Sequence, residues 1–486
     1  MRQVRIAILG AGVSAASLLR GLTAPGPGAV DPADVAVFGV SEGAAFGVPA
    51  HFAARLDPRL LLNNSLQAMS APEFPFADWL RGRGRGAGAP GDPAVPGASA
   101  PGVVPVHDPA PAPDADDATL FLPRRRVGAF LSQTVGAAAA PALAQALLRP
   151  AAAAVDLDPA TGRWIVRDVA GGRVSAARVA MATGGRLVDP APPRAPRWAQ
   201  ARGEGALAGR AFLGRLDGGA GGRLAIVGGG PSAGELAALL GEERPDARLT
   251  AISADGLMPN RAAGPDTPDW TGFDRAGLQA VGSAAALAAF AAAQVAAARR
   301  EGGPWSFAAL ARAVFAHARA LPPAEALAFR HVHADRARSV VRWMPPAYHR
   351  RLQEMQAEGR LEVLAGRVSG VVPAPGRAGE AGGLDVVVDG RPSGRVFEAV
   401  FDCTAYLEGA SPVLTRGGAP FGLRRPEMPL RAGPGGLAEL APGLFPTGNA
   451  LSPYSAEPGL WGRVEHAPRC TALALAAAAW MRETDA

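Results

Sequence analysis

No lysine occurs in the 486 residues, so all 49 basic side chains are arginine. That absence excludes a Walker A phosphate loop, which ends in Gly-Lys-Ser/Thr. It also excludes a Schiff-base lysine and the pyridoxal chemistry built on one. Cysteine is nearly missing: Cys403 and Cys470 make up the whole complement. Two such distant thiols form neither a disulfide framework nor a C-x-x-C redox pair, and alone they are too few for a structural zinc. The seven histidines show no H-E-x-x-H spacing, so no metal site is expected. The first residues run directly into a strand pattern, without the basic, apolar and small-residue regions of a secretory leader. The Ala-rich run 283–298 falls short of the roughly 20 apolar residues that cross a bilayer and reads as packed helix. A cytoplasmic protein with no membrane partner is expected.

What is present suits a globular chain. Hydrophobic residues make up 48% and charged residues 19%, which excludes wholesale disorder. The length allows two to four domains of about 100–200 residues each. The net charge is +6 and the pI about 10.3. The arginines are scattered singly among apolar residues and are answered by 43 acidic ones. The high pI follows largely from arginine standing where lysine would. No nucleic-acid partner is expected.

Two segments match each other 218 positions apart. The first is Ile6-Ala-Ile-Leu-Gly10-Ala-Gly12-Val-Ser14-Ala15. The second is Leu224-Ala-Ile-Val-Gly228-Gly-Gly230-Pro-Ser232-Ala233. Each is a short apolar run, a G-x-G-x-S-A turn, and an Ala/Leu-rich helical stretch. The first glycine permits the turn, and the second lets the backbone approach a pyrophosphate. The small sixth residue lets the helix pack on the strand, while the helix N-terminus offers N–H groups and a positive dipole end. One such motif arises easily by chance in a chain with 62 glycines. Two, each behind a strand and ahead of a helix, predict an α/β protein with two Rossmann-like dinucleotide-binding domains. Gly10, Gly12, Ser14 and Ala15 are the ligand candidates of the first, and Gly228, Gly230 and Ser232 those of the second.

Val35–Phe38, Arg178–Ala182, Leu249–Ile252, Phe397–Tyr406 and Leu444–Pro446 read as further strands. Residues 283–321 and 346–359 read as helices. Residues 81–118, almost all Gly, Pro, Ala, Asp and Arg, read as a flexible loop, and 186–222 as a domain boundary.

Further segments follow in a fixed order. They are Asp57-Pro-Arg-Leu-Leu-Leu-Asn63-Asn64, Met69-Ser70 and Phe76-Ala-Asp-Trp79-Leu80; Phe121-Leu-Pro-Arg124-Arg-Arg126-Val-Gly128; Ala182-Thr183-Gly184; Gly256-Leu-Met-Pro259; Arg342-Trp343-Met344-Pro345-Pro346; Asp402-Cys-Thr-Ala-Tyr406; and Gly448-Asn449. With the two glycine turns, they make the chain resemble the two-dinucleotide-binding-domain flavoproteins. Within that group it is most similar to the FAD/NAD(P)-binding family related to the N-hydroxylating flavin monooxygenases. The resemblance covers nearly the whole chain. It implies FAD on the first turn and NADPH on the second. It places Asn63, Asn64, Arg124–Arg126 with Arg126 foremost, Thr183, Gly184, Gly448 and Asn449 along the FAD. The bland alternatives are turn asparagines and helix-capping arginines. The architecture it implies is a FAD domain of residues 1–205 and 397–486, with an NADPH domain of residues 215–396 inserted into it.

The sequence departs from the pattern at the ends of both second strands, where an acid usually binds ribose hydroxyls. Phe38 is followed by Gly39, and Glu42 is the first acid that could substitute. After Leu249–Ile252 comes Ser253, with Arg261 close by; a non-acidic strand end with a reachable arginine favours the 2′-phosphate of NADPH over NADH. Ornithine- and lysine-hydroxylating relatives use a lysine near the substrate, and none exists here. The disulfide-reductase branch is excluded by the missing cysteine pair.

The function implied is FAD- and NADPH-dependent monooxygenation of a small molecule. Dioxygen is the co-substrate, and the resemblance points to N-hydroxylation of an amine or amino acid through a flavin hydroperoxide. Asn64, Tyr454 and His466 are the catalytic candidates, with Arg463 and Glu465 beside them and His51 as a further flavin-side group. The competing readings are a flavin oxidase or dehydrogenase with a vestigial nicotinamide site, and a nucleotide-binding regulator without catalysis.

Overall fold

The computed structural model describes residues 1–40, 46–49, 52, 59–84, 116–117, 120–183, 222–262, 267–303, 305–329, 333, 337, 340, 342–374, 383–403, 413–420, 431–432, 437–447 and 467–483. The first domain is built on β1 (Arg2–Leu9), β2 (Val35–Phe38), β3 (Leu147–Arg149), β4 (Ala152–Leu157), β5 (Trp164–Asp168) and β6 (Arg173–Met181). Its helices are α1 (Val13–Thr23), α2 (Phe76–Gly84), α3 (Arg124–Leu131) and α4 (Ala137–Leu143), with Ser132–Gly136 a π-helical link between the last two. Ile6–Leu9 are wholly buried, as a strand covered on both faces must be. β1 pairs in parallel with β2 on one side and β6 on the other.

The second domain begins with β7 (Arg223–Val227), α5 (Pro231–Glu243) and β8 (Arg248–Ser253). A two-strand ladder, β9 (Asn260–Arg261) with β10 (Trp343–Met344), brackets a helical body. That body comprises α6 (Arg275–Gln279), α7 (Ala284–Glu301), α8 (Ala308–Ala320) and α9 (Pro323–Ala328), packed around Trp270, Leu287, Val295, Leu310 and Val314. The single helix read over 283–321 is therefore two. Gly302, at φ +78, ends α7 in the left-handed conformation that favours glycine.

Then come α10 (Pro346–Ala357), β11 (Leu361–Ala365), the antiparallel β12 (Val368–Pro373), β13 (Leu384–Val388) and β14 (Arg391–Pro392), and β15 (Ala399–Asp402). β15 lies parallel to β7, completing a parallel sheet in the order β11-β8-β7-β15. This moves the boundary expected at residue 397. The run Ala399–Asp402 is buried throughout, and it finds two covered faces only inside the second sheet. The chain rejoins the first sheet at β16 (Val413–Arg416), where Val413 pairs with Ala154, and continues through β17 (Ala419–Pro420).

A short pair, β18 (Arg431–Ala432) with β19 (Ala438–Glu439), precedes β20 (Leu444–Pro446) and α11 (Ala467–Glu483). On its edge away from β1, β6 serves two partners: its first half pairs antiparallel with β5, and its last residues, Val179–Met181, pair in parallel with β20. The indole N–H of the buried Trp164 donates to Pro442 O at 2.9 Å and ties the two branches together. α1 and α11 pack through Leu18, Leu22, Leu473 and Ala477 in one core. Of the expected 81–118 loop, residues 85–115 and 118–119 lie outside the described residues, as do 184–221 at the expected boundary. No helix among the described residues is long and apolar enough to cross a membrane.

Trp164→Ala empties a site at the branch of β6. It is expected to cost about 3–5 kcal/mol, read as a lower midpoint in urea unfolding at an unchanged slope.

Candidate dinucleotide sites

Four strand ends of the first domain, those of β2, β1, β6 and β20, are tied side by side. Gly10 N–H donates to Phe38 O at 2.9 Å, Ala182 N–H to Leu9 O at 2.8 Å, and Thr447 N–H to Met181 O at 2.9 Å. Gly10 stands at φ +125, and a Cβ there would lie 2.2 Å from Ala182 O. Backbone conformation and space therefore both demand glycine. Gly12 caps α1 without a side-chain hydrogen bond, and no acid sits in the first turn. The side chains of Ser14 and Ala15 are buried against the sheet, so these two positions serve the approach of helix to strand. Gly47 N–H reaches Ala11 O at 2.9 Å and lays the 46–49 segment along the turn.

Two buried side-chain oxygens, Asn63 Oδ1 and Thr183 Oγ1, the latter just past the turn's neighbour Ala182, have no hydrogen-bond partner among the described residues. Such atoms carry a desolvation cost unless a ligand satisfies them. Past the ends of β2 and β3 an open depression of about 500 Å³ is lined by Gly39, Val40 and Leu148–Ala151. Arg149 on its rim is held by the buried Asp168, Nε to Oδ2 at 2.9 Å. A glycine turn, an uncapped helix, orphaned oxygens and an adjoining depression together fit a dinucleotide. Asn64 follows Asn63 on the same segment, and Arg126 is half-buried in the first turn of α3. Glu42, His51, Gly184, Gly448, Asn449, Tyr454, Arg463, Glu465 and His466 lie outside the described residues.

The second turn repeats the first. Gly228 also stands at φ +125, and its N–H donates to Ile252 O at 2.8 Å. Gly230 caps α5 with no side-chain hydrogen bond, Ser232 follows in the first turn, and no acid accompanies them. Ser253, ending β8, is buried and accepts the Leu257 N–H at 2.9 Å. It shapes the turn rather than facing outward.

Around that turn gather Arg261 from β9, Arg299 from α7, Arg342 ahead of β10 and His349 from α10. Arg299 donates to Asn260 Oδ1 at 2.7 Å, and Arg342 lies 3.3 Å from Asp255. Burial, then the charges of Arg261 and Arg299, push the His349 pKa down to about 4. Burial lowers Arg299 as well, against the pull of Asp255. Three guanidiniums, Asp255 and a depressed histidine are thus gathered beyond the end of β8. Sequence reading found Arg261 alone. Arg299 ends an Ala-rich helix with no local mark, and Arg342 was noted only as part of a motif.

Arg124, expected along the FAD, turns elsewhere. Its guanidinium pairs with the buried Glu235 on α5, and its Nε donates to Leu61 O at 2.9 Å. It joins the two domains. Among the described residues, no group of three or more His, Cys, Asp or Glu side chains is placed to hold a metal ion.

Gly10→Ala is expected to destabilise the fold by roughly 3 kcal/mol through strain and overpacking, and to lower the flavin retained on purification, read from the visible spectrum. The depressed His349 pKa sets a second expectation. Its folded value lies below the ordinary 6.5, so the neutral ring contributes stability above pH 6.5 that is lost as pH falls towards 4. Linkage puts this loss at roughly 2–3 kcal/mol. Urea midpoints of His349→Gln should fall less steeply over that window than those of the parent.

Residues 7–186 match the family model described as FAD-NAD(P)-binding. No curated protein matches the chain. Among solved structures, the chain is similar to the ornithine N-hydroxylase of Kutzneria sp. 744 at 17% identity and a TM-score of 0.54, with all of both chains covered. It is similar to the L-lysine 6-monooxygenase of Pseudomonas syringae at 13% identity and a TM-score of 0.51, covering 98% of this chain and 99% of that one. The reduced ornithine hydroxylase of Pseudomonas aeruginosa gives 13% identity and 0.51, covering 99% and 100%. The first part of the chain thus matches a FAD-NAD(P)-binding family model, and the chain as a whole has the fold of these solved structures.

Proposed function

We propose that the protein is a FAD- and NADPH-dependent monooxygenase that N-hydroxylates a small amine. The observation that carries this reading is the doubled turn. Two glycines at the same φ of +125 each precede an uncapped helix, one after β1 of the first sheet and one after β7 of the second. One site binds a dinucleotide; two in one chain suit electron transfer between dinucleotides. The substrates named for the solved relatives, ornithine and lysine, put amines first among candidate substrates.

In this reading the Gly10 turn and the α1 N-terminus hold the FAD pyrophosphate. Asn63 and Thr183 offer their partnerless oxygens to its polar groups. The Gly228 turn and α5 hold the pyrophosphate of NADPH, and Arg261, Arg299 and Arg342 answer its 2′-phosphate. His349 stays neutral there across the working range, so the cluster's charge is fixed by arginine alone. Held there, a flavin would supply the redox chemistry between NADPH and dioxygen.

The test is anaerobic. The purified yellow protein should bleach on adding NADPH and, when air is admitted with an amine, form the hydroxylamine with matching oxygen uptake. Uptake that yields only hydrogen peroxide with every amine offered would make an oxidase the better reading. Arg261→Ala should weaken NADPH binding roughly tenfold, the worth of one charge-assisted contact, and leave NADH binding unchanged. Equal losses for both nucleotides would remove the 2′-phosphate assignment.

A further inference from the structure

Among the described residues, Leu61 and Phe121 of the first domain reach the second with apolar side chains, and Arg59 and Arg124 with charged ones. Leu61 inserts its side chain into the core of the second sheet, beside Leu224 and Ile226. Its backbone is gripped from both ends. Its N–H donates to Tyr348 Oη at 2.9 Å, and its carbonyl accepts Arg124 Nε at 2.9 Å. Tyr348, buried on α10, donates its own hydroxyl hydrogen bond to Arg59 O. Arg124 pairs with Glu235, whose side chain is 5% exposed. At the rim, Arg59 meets Glu242 at 3.2 Å, and also Glu243.

A buried ion pair is a poor source of net stability, because desolvation offsets the attraction. It is, however, a directional device, because breaking its geometry leaves a charge stranded. Here both ends of the pair lead to a nucleotide turn. Glu235 sits five residues after Gly230, inside the helix whose N-terminus faces the second nucleotide. Leu61 is two residues before Asn63, whose buried oxygen lacks a partner among the described residues and is assigned to the first in the reading above.

We propose that Arg124, Glu235 and Tyr348 are positioning residues that lock α5 against the Leu61–Asn63 segment and so set the nicotinamide side against the flavin side for hydride transfer. The role rests on the two-cofactor reading above, whereas the lock itself does not. Neither Arg124 nor Glu235 needs to touch a cofactor. Their effect is exerted through Leu61 and through the helix axis.

Two measurements separate the lock from the reading. In hydrogen exchange on the full chain, Tyr348→Phe should speed exchange at the Leu61 amide by about tenfold, while amides of β1 and β7 keep their protection. Tyr348→Phe keeps the ring in the core, so it remains informative if the charge variants fold poorly. In anaerobic stopped-flow, Glu235→Gln and Arg124→Met should lower the limiting rate of flavin reduction by about tenfold to a hundredfold, with the NADPH concentration for half-saturation and the flavin content unchanged. Arg124→Lys, which keeps the charge, should recover part of that rate. Unchanged Leu61 exchange would overturn the lock. Altered exchange with an unchanged limiting rate would overturn the positioning role. A parent protein that NADPH does not reduce would overturn the cofactor reading and the positioning role together, and the exchange data would still report whether the lock exists.

Discussion

The absence of a Cβ at the end of β1 is the constraint on which the first domain depends. Any side chain at Gly10 would meet Ala182 O at 2.2 Å. That contact is close because β1 and β6 run in parallel, in register from Arg2↔Val174 to Leu9↔Met181. The closeness brings the Thr183 hydroxyl beside the turn, and β20 then delivers Thr447 to the same place through its bond to Met181 O. A larger residue would push these three strand ends apart and undo the cradle, not merely one contact. The second domain solves the same problem with Gly228 at the same φ, which is why the two turns are superposable in sequence as well as in conformation.

Two such domains do not by themselves make an electron-transfer protein, since their turns must face each other in a fixed way. An apolar interface would hold them together but would tolerate sliding, because dispersion and burial are nearly non-directional. The contacts made by Leu61, Arg124, Glu235 and Tyr348 are directional. They grip one backbone unit at both its N–H and its carbonyl. Burial pushes the Glu235 pKa up, and the Arg124 charge pulls it back. Tyr348 is pushed well up by burial and by the Glu235 charge, so it remains a phenol that donates and accepts at once.

How much of this was legible depends on the range of the forces involved. β2 falls at the residues read for it, Val35–Phe38, because four consecutive buried apolar residues between turn signals leave little choice. The two glycine turns were legible because the strained conformation admits one residue type. The break between α7 and α8 was missed although Gly302 and Gly303 mark it, since alanine continues the helical pattern on both sides. The placement of β15 was not legible: Val400–Phe401 would fill either sheet, and the partner that decides, β7, lies 175 residues away. Arg124 was read with its neighbours as one basic stretch. Only tertiary structure separates the arginine that crosses to α5 from those that stay.

The missing lysine bears on both charged assemblies. A buried lysine sheds its proton readily, because its compact charge is strongly hydrated and costly to desolvate. Arginine keeps its charge under the same burial. At the interface this leaves the state of the Arg124–Glu235 pair to the carboxyl alone. At the end of β8, burial and then the charges of Arg261 and Arg299 act on the group able to yield. That group is His349, which gives up its proton and stays neutral down to about pH 4. A histidine pushed down by burial and by two neighbouring guanidiniums marks a place where cations stand close together. An anion with two or more negative charges is the ligand that such a place is built to accept.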